Sequence, residues 1–278
     1  MNEAARPHRP ALRWHGGKWR IAPWIIRHLP THRVYVEPFG GAASVLLSKP
    51  RSYGEVYNDL DGEVVNLFRC ARDRGDELRA VLTLTPSARA EFDLSYEAAI
   101  DDLERARRLV VRSFMGFGSN VTKPIRDGRP MRTGFRATCR RSGSTPARDW
   151  HGYPQALEAI VRRLQGVVIE NRAEIEVMRQ HDAPDTVHYV DPPYLHSVRD
   201  EARADYRHEM GEADHRALAE TLHDLRGAVV LSGYDSPLYS ELFGAWRRVE
   251  KHTHADGARR RVEVLWLSPR CPPPGLFS

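Results

Sequence analysis

Asp191-Pro192-Pro193-Tyr194 sets a carboxylate, two rigid residues with free carbonyls and an aromatic ring side by side. The preceding residues 186–190 are rich in β-branched and aromatic side chains, as a buried strand is. Neither proline can donate to a ladder, so the strand ends there. The tetrad therefore stands at the carboxyl end of a strand, where open α/β sheets place ligand chemistry. Taken alone, it also fits a strand, a proline turn and a helix-capping Asp.

Two upstream stretches have the same placement. Glu37-Pro38-Phe39-Gly40-Gly41 follows the apolar residues 34–36 and reads as strand, glycine turn and helix 42–48. Its glycines let the backbone approach a ligand closely. It lacks the three spaced glycines of a dinucleotide fingerprint, which argues against a nicotinamide cofactor. Residues 55–59 read as a second strand ending in Asp59, an acid placed either to bind the ribose hydroxyls of an adenosine-bearing cofactor or to cap the helix 62–72. Earlier, Trp14-His15-Gly16-Gly17-Lys18 precedes a helix running to His28. Two glycines and a lysine at a helix start can cradle an anion, although alone they read as a plain loop-to-helix junction.

Elements that alternate between strand and helix must position these residues. Residues 73–109 read as helical, with Pro86 opening one segment. A helix at 154–164 leads to a buried strand at 166–171, and a helix at 173–181 leads to the central strand. A polar stretch at 195–210 reads as a mobile lid. A helix at 214–225 then precedes a strand at 228–232, after which Tyr234 either helps hold a base or caps the core. Strands at 246–251 and 262–267 form a closing hairpin. Residues 112–148 depart from this pattern, with nine Lys or Arg against one acid, interleaved with Phe114, Phe117 and Phe135. Residues 125–130 read as a hairpin whose Asp127-Gly128 turn presents Arg126 and Arg129. With Asn120, Lys123, Arg132 and Arg136 these are the candidate DNA contacts, arginines to guanine edges and other cations to phosphates. The competing reading is a solvated basic loop.

Composition narrows the class. A chain of 278 residues, 41% hydrophobic and 28% charged, fits one large globular α/β domain with an insertion, or two small domains. No apolar run is long enough to span a bilayer, and residues 1–10 carry no signal region. Cys70, Cys139 and Cys271 are odd in number and far apart, which fits a reducing cytoplasm and neither a disulfide framework nor a structural zinc. His252 and His254 have no third ligand nearby, so no metal is expected. A net charge of +5 is compatible with a polyanionic partner.

In this order the motifs resemble the Dam-type (alpha-group) N6-adenine DNA methyltransferases, over nearly the whole chain from Arg13 to Pro269. The resemblance implies a Rossmann-like class I methyltransferase sheet, mostly parallel, with seven strands including an antiparallel hairpin strand. It also implies an inserted, mainly helical target-recognition domain carrying a β-hairpin. The catalytic domain then comprises 11–72 and 165–270 and the recognition domain 73–164, with flexible tails at 1–10 and 271–278. By position, Trp14 and Lys18 match contacts to the methionine end of S-adenosylmethionine. Glu37, Pro38, Phe39 and Gly41 match the glycine-turn motif, and Asp59 matches the ribose-binding acid. Asp191, Pro192, Pro193 and Tyr194 match the catalytic loop, Asp191 also bordering the cofactor. Ala43 stands where many members carry a second glycine, its methyl slightly narrowing the turn. The basic hairpin occupies the recognition position with residues that differ from those of GATC readers.

The residue types then specify a mechanism. An exocyclic adenine amine is a poor nucleophile because its lone pair is delocalised into the ring. The Asp191 carboxylate and the Pro192 carbonyl each accept one amine hydrogen and aim the lone pair at the methyl group. Tyr194 stacks on the base, which must leave the duplex. The products are methylated double-stranded DNA and S-adenosylhomocysteine, with no metal needed. The expected enzyme is cytoplasmic, bacterial or phage-encoded, and a monomer or homodimer. The competing readings are a cytosine N4-methyltransferase of the same fold, an RNA adenine methyltransferase, and a non-catalytic DNA-binding regulator.

Overall fold

A computed structural model describes residues 6–118, 125–126, 129–138, 144–195, 207–254 and 260–272. The main strands are β1 (Val34–Glu37), β2 (Gly54–Asn58), β5 (Val168–Glu170), β6 (Thr186–Val190), β7 (Ala228–Gly233), β8 (Arg247–His254) and β9 (Arg260–Leu267). They form one seven-stranded sheet in the order β5-β2-β1-β6-β7-β9-β8. Neighbours from β5 to β7 run parallel, while β9 pairs antiparallel with both β7 and β8. This is the Rossmann-like sheet with its antiparallel hairpin. From β1 the chain steps outward to β2 and β5, then crosses to β6 on the other side of β1. Strand order switches between β1 and β6, so a crevice opens at their carboxyl ends.

Strands β6 and β7 are buried along their whole length, as strands covered on both faces must be. Strand β5, expected to be buried from its apolar run, is instead the edge of the sheet, and Val168 is 47% exposed.

Helices α1 (Ala22–Ile26), α2 (Ser44–Ser48) and α3 (Gly62–Asp73) lie among the first strands. A helical region follows: α4 (Gly75–Leu84), α5 (Arg89–Leu94), α6 (Asp102–Met115), α7 (Pro146–His151) and α8 (Tyr153–Leu164). Helices α9 (Glu174–Gln180), α10 (Glu212–Asp224) and α11 (Pro237–Phe243) return to the sheet. Asp61 caps α3 by accepting from the Glu63 N–H at 2.9 Å, and Asp101 caps α6 from the Glu104 N–H at 2.8 Å. Pro86 does not open a helix: α5 begins at Arg89, and Thr85 instead bonds back to the Val81 carbonyl.

The buried faces of α3 and α6, including Val64, Phe68, Leu109 and Val110, share one core cluster with Tyr35 and Tyr57 of the sheet. A buried ionic cluster fastens α8 to β2: Glu55 accepts from Lys49 at 2.6 Å and from both terminal nitrogens of Arg163 at 2.6 and 2.7 Å.

Two described residues from the expected flexible tails make contacts with the rest of the protein. Arg9 pairs with Asp149 of α7 at 2.9 Å, and Cys271 is buried with its thiol 3.3 Å from the Val229 carbonyl. Cys70 and Cys271 are both free thiols.

Strands β3 (Ile125–Arg126) and β4 (Arg129–Pro130) pair antiparallel with Arg126 opposite Arg129, as a two-residue turn requires. The Asp127-Gly128 turn, Asn120, Lys123, Cys139 and residues 196–206 of the expected lid lie outside the described residues. Among the described residues no helix is long and apolar enough to cross a membrane.

Candidate active site

A pocket lies at the β1/β6 switch point, where open α/β sheets bind their ligands. The turn at Trp14–Lys18, the glycine turn after β1, the acids after β2, and Asp191 and Pro193 after β6 all border it.

The glycine turn is held from both sides. The Gly41 N–H donates to Asp59 Oδ2 at 2.8 Å, and the Gly41 carbonyl accepts from the Tyr57 hydroxyl at 2.8 Å. Gly41 has φ of 45°, and a Cβ there would stand 2.7 Å from Trp14 Nε1. A Cβ on Gly40 would meet the Tyr57 ring at 2.1 Å. Both positions need glycine for the turn to close against its neighbours. Ala43 is left-handed, with φ 52° and ψ 36°. Among the described residues it alone has positive φ without being glycine. Its methyl is fully buried in the core, so its departure from the family pattern acts through the backbone and not by narrowing the turn.

The acids are anchored by donors. Glu37 Oε2 accepts from the Tyr35 hydroxyl at 2.7 Å and from the Leu46 N–H at 3.0 Å, tying the end of β1 to α2. Burial nevertheless pushes the Glu37 carboxyl up to about 8. Asp59 accepts from the Asp61 N–H at 2.8 Å with its other oxygen, and burial pushes it up to about 6 against both N–H groups.

Asp191 Oδ2 stands 3.0 Å from Lys18 Nζ, and Asp191 Oδ1 accepts from the Tyr194 hydroxyl at 3.2 Å. Lys18 also donates to the Gly16 carbonyl at 2.7 Å and lies 4.8 Å from the centroid of the Tyr194 ring. The Tyr194 hydroxyl lies 3.3 Å from Glu263 Oε2 and 3.4 Å from Ser232 Oγ as well. Burial holds that phenol well above its ordinary range, so it is a neutral donor. The Tyr234 ring meets the Tyr194 ring edge-on, with centroids 4.4 Å apart.

The pocket lining therefore gathers Trp14, Lys18, the glycine turn with Glu37, Pro38 and Phe39, and the carboxylates Asp59 and Asp191. Pro192 and Tyr194 are buried behind Asp191 and do not border the pocket. Arg132 and Arg136 lie elsewhere. Arg132 pairs with Glu97 at 3.2 Å, and Arg136 donates to the Phe114 carbonyl at 3.0 Å. Asp61, Glu174, Arg207 and Met210 also border the pocket. None of these four stood out in the sequence; only Asp61 carried a signal, as a helix cap two residues after Asp59.

These residues fit S-adenosylmethionine. The glycine turn borders the pocket with bare backbone at Gly40 and Gly41, several carboxylates suit a ligand bearing sulfonium and ammonium cations, and acids after β2 suit ribose hydroxyls. Among the described residues no group of three His, Cys, Asp or Glu is arranged to hold a metal ion.

Comparison with known proteins gives a consistent result. The family model for D12 class N6 adenine-specific DNA methyltransferase matches residues 14–115 and 148–256. The chain is 25% identical over 277 residues to the DNA adenine methylase of Haemophilus influenzae, covering 94% of this chain and 92% of that one. It is 26% identical over 251 residues to the type II methyltransferase M1.LlaDCHI of Lactococcus lactis, covering 84% of each. The DNA adenine methylase of Escherichia coli K12 is 36% identical over 72 residues, 26% of each chain. The family match skips the interval between residues 115 and 148, which holds the basic hairpin.

Proposed function

The chain belongs to the D12 class of N6 adenine-specific DNA methyltransferases, and we propose that its switch-point pocket holds S-adenosylmethionine while Asp191 receives a flipped-out adenine from double-stranded DNA. The enzyme is a DNA adenine N6-methyltransferase. The observation that carries the reading of the site is the position of Asp191 at the end of the central strand, bordering the same pocket as the glycine turn and Asp59.

When bound, S-adenosylmethionine supplies an electrophilic methyl group on a sulfonium sulfur. Trp14 and the Glu37–Gly41 turn border the ligand, Asp59 takes ribose hydroxyls, and Lys18 lies toward the methionine end. The Asp191 carboxylate and the Pro192 carbonyl each accept one hydrogen of the adenine amine, which localises the nitrogen lone pair and orients it. As the nitrogen gains its fourth bond, Asp191 takes the proton it sheds. The Tyr194 hydroxyl steadies the carboxylate, and its ring, buried in this structure, stacks on the base once DNA binding uncovers it.

The helical region 73–164, with the β3–β4 hairpin, serves as the target-recognition domain. Arg126, Arg129 and Arg132, with Asn120 and Lys123, contact DNA. The relatives are bacterial, and action on DNA in the cytoplasm fits the free cysteines.

Single-molecule sequencing of DNA from a methylation-free host expressing the protein tests the reading, with Asp191→Ala alongside. A modified adenine in one short motif, absent with the variant, is the expected result. An unchanged modification pattern with the variant would remove Asp191 from the mechanism.

A further inference from the structure

A second ion pair, besides that of Lys18 with Asp191, borders the pocket. Arg207 Nη1 stands 2.8 Å from Asp61 Oδ1, and both residues border the pocket. Asp61 is 4% exposed. Its Oδ1 is used twice, by the guanidinium and by the Glu63 N–H of the α3 cap. Its Oδ2 is buried without a hydrogen-bond partner, and so is Arg207 Nε. Leaving a buried acceptor and a buried donor unpaired beside one pocket is costly. A ligand that offers a donor and an acceptor removes that cost.

We propose that Asp61 and Arg207 form a clasp for the nucleoside end of the cofactor. The ion pair draws the chain from Arg207 to Met210 against the N-terminus of α3, while Asp61 Oδ2 and Arg207 Nε meet polar groups of the nucleoside. A nucleoside suits both atoms, because ribose hydroxyls donate and adenine ring nitrogens accept. The end of the pocket follows from the chain: Asp61 lies two residues beyond Asp59, whereas Lys18 and Asp191 mark the methyl-transferring end. This clasp rests on the reading of the pocket as an S-adenosylmethionine site.

The test measures release of S-adenosylhomocysteine from the full chain by stopped-flow displacement, in wild type, Asp61→Asn, Arg207→Gln and the double variant. Asparagine caps a helix as well as aspartate, so Asp61→Asn keeps α3 capped while removing the charge. Each single variant should release the ligand about tenfold faster, because losing one partner of a desolvated pair acts mainly on the off-rate. The double variant should release it no faster than the quicker single variant. Variants that melt earlier yet release at the wild-type rate would make the pair structural and overturn the clasp. Additive effects in the double variant would also overturn it, since the two residues would then act separately. Wild-type protein that fails to bind S-adenosylhomocysteine would instead overturn the underlying reading of the pocket.

Discussion

Lys18 and Asp191, 173 positions apart in the chain (191 − 18), meet at 3.0 Å beside the pocket, and Lys18 is only 5% exposed. The cation fixes one of its oxygens, leaving remaining lone pairs to accept an amine hydrogen. Asp191→Asn removes the charge but keeps the shape, so methyl transfer should fall by about 10³-fold or more, while duplex DNA binding stays near wild type. Lys18→Gln leaves Asp191 without its cation, which should lower kcat/KM by roughly 10- to 100-fold. Single-turnover kinetics with a gel-shift control distinguish the two. A Lys18→Gln enzyme as active as wild type would mean that the pair has no part in turnover.

Cofactor binding should release protons near neutral pH. Glu37 and Asp59, at about 8 and about 6 in the folded protein, lie above their ordinary values of 4.5 and 3.8. Their raised values favour the unliganded fold most below pH 4, and that contribution is lost as pH rises through about 6 and then about 8. A cationic ligand beside them favours the ionised forms, so affinity for S-adenosylmethionine should rise between about pH 6 and 8. S-adenosylhomocysteine, which lacks the sulfonium charge, should show a shallower rise. Calorimetry in two buffers of different ionisation enthalpy reads the proton count directly. Proton uptake on binding would contradict this electrostatic account.

At Ala43 several effects of similar size compete. A left-handed alanine costs about 1–2 kcal/mol. Replacing it with glycine relieves that strain but loses about 0.8 kcal/mol of methyl burial, and loosens the unfolded chain by about 0.4–1 kcal/mol. Ala43→Gly should therefore lie within about 1 kcal/mol of wild type in urea unfolding. Ala43→Val combines a β-branched side chain at positive φ with a fully buried site. It should destabilise by more than about 2 kcal/mol. Equal midpoints for the two variants would argue against the left-handed backbone at this residue.

The parts of this molecule that sequence conveys are those with local causes. Residues 34–36 and 186–190 read as strands because apolar β-branched runs cut off by a glycine turn or two prolines leave little choice. The chemistry at their ends follows, which is why Glu37, Gly41, Asp59 and Asp191 are legible from the residues alone. What was missed depends on distant partners. Val168 looks like a core strand residue, and only the sheet order makes it an edge. Arg9 and Cys271 look like tail residues until Asp149 and the Val229 carbonyl are brought to them. Arg207 and Asp61 are 146 positions apart, and no periodicity links them. The left-handed state of Ala43 is invisible in a residue type that normally avoids it.

Two arginines of the basic segment, alike in the sequence, should behave differently on DNA. Arg132 is 54% exposed, and its pairing with the still more exposed Glu97 is worth little in water, so it can exchange that partner for a phosphate at small cost. Arg136 is 20% exposed, donates to the Phe114 carbonyl and lies 3.8 Å from Asp149, while its own N–H donates to the Met115 carbonyl. It fastens the chain after β4 to the end of α6. Arg132→Ala should thus weaken DNA binding and reduce the slope of log K against log salt by about 0.9, the effect of one lost phosphate contact. Arg136→Ala should lower stability by about 1–3 kcal/mol, as loss of a charged hydrogen-bond donor does, with the salt slope unchanged. Titrating a fixed duplex at several salt concentrations, beside urea unfolding of each variant, separates the roles. If Arg136→Ala alone altered the slope, the phosphate contact would belong to the arginine that also ties the segment to α6, and DNA would have to displace the Phe114 bond to reach it.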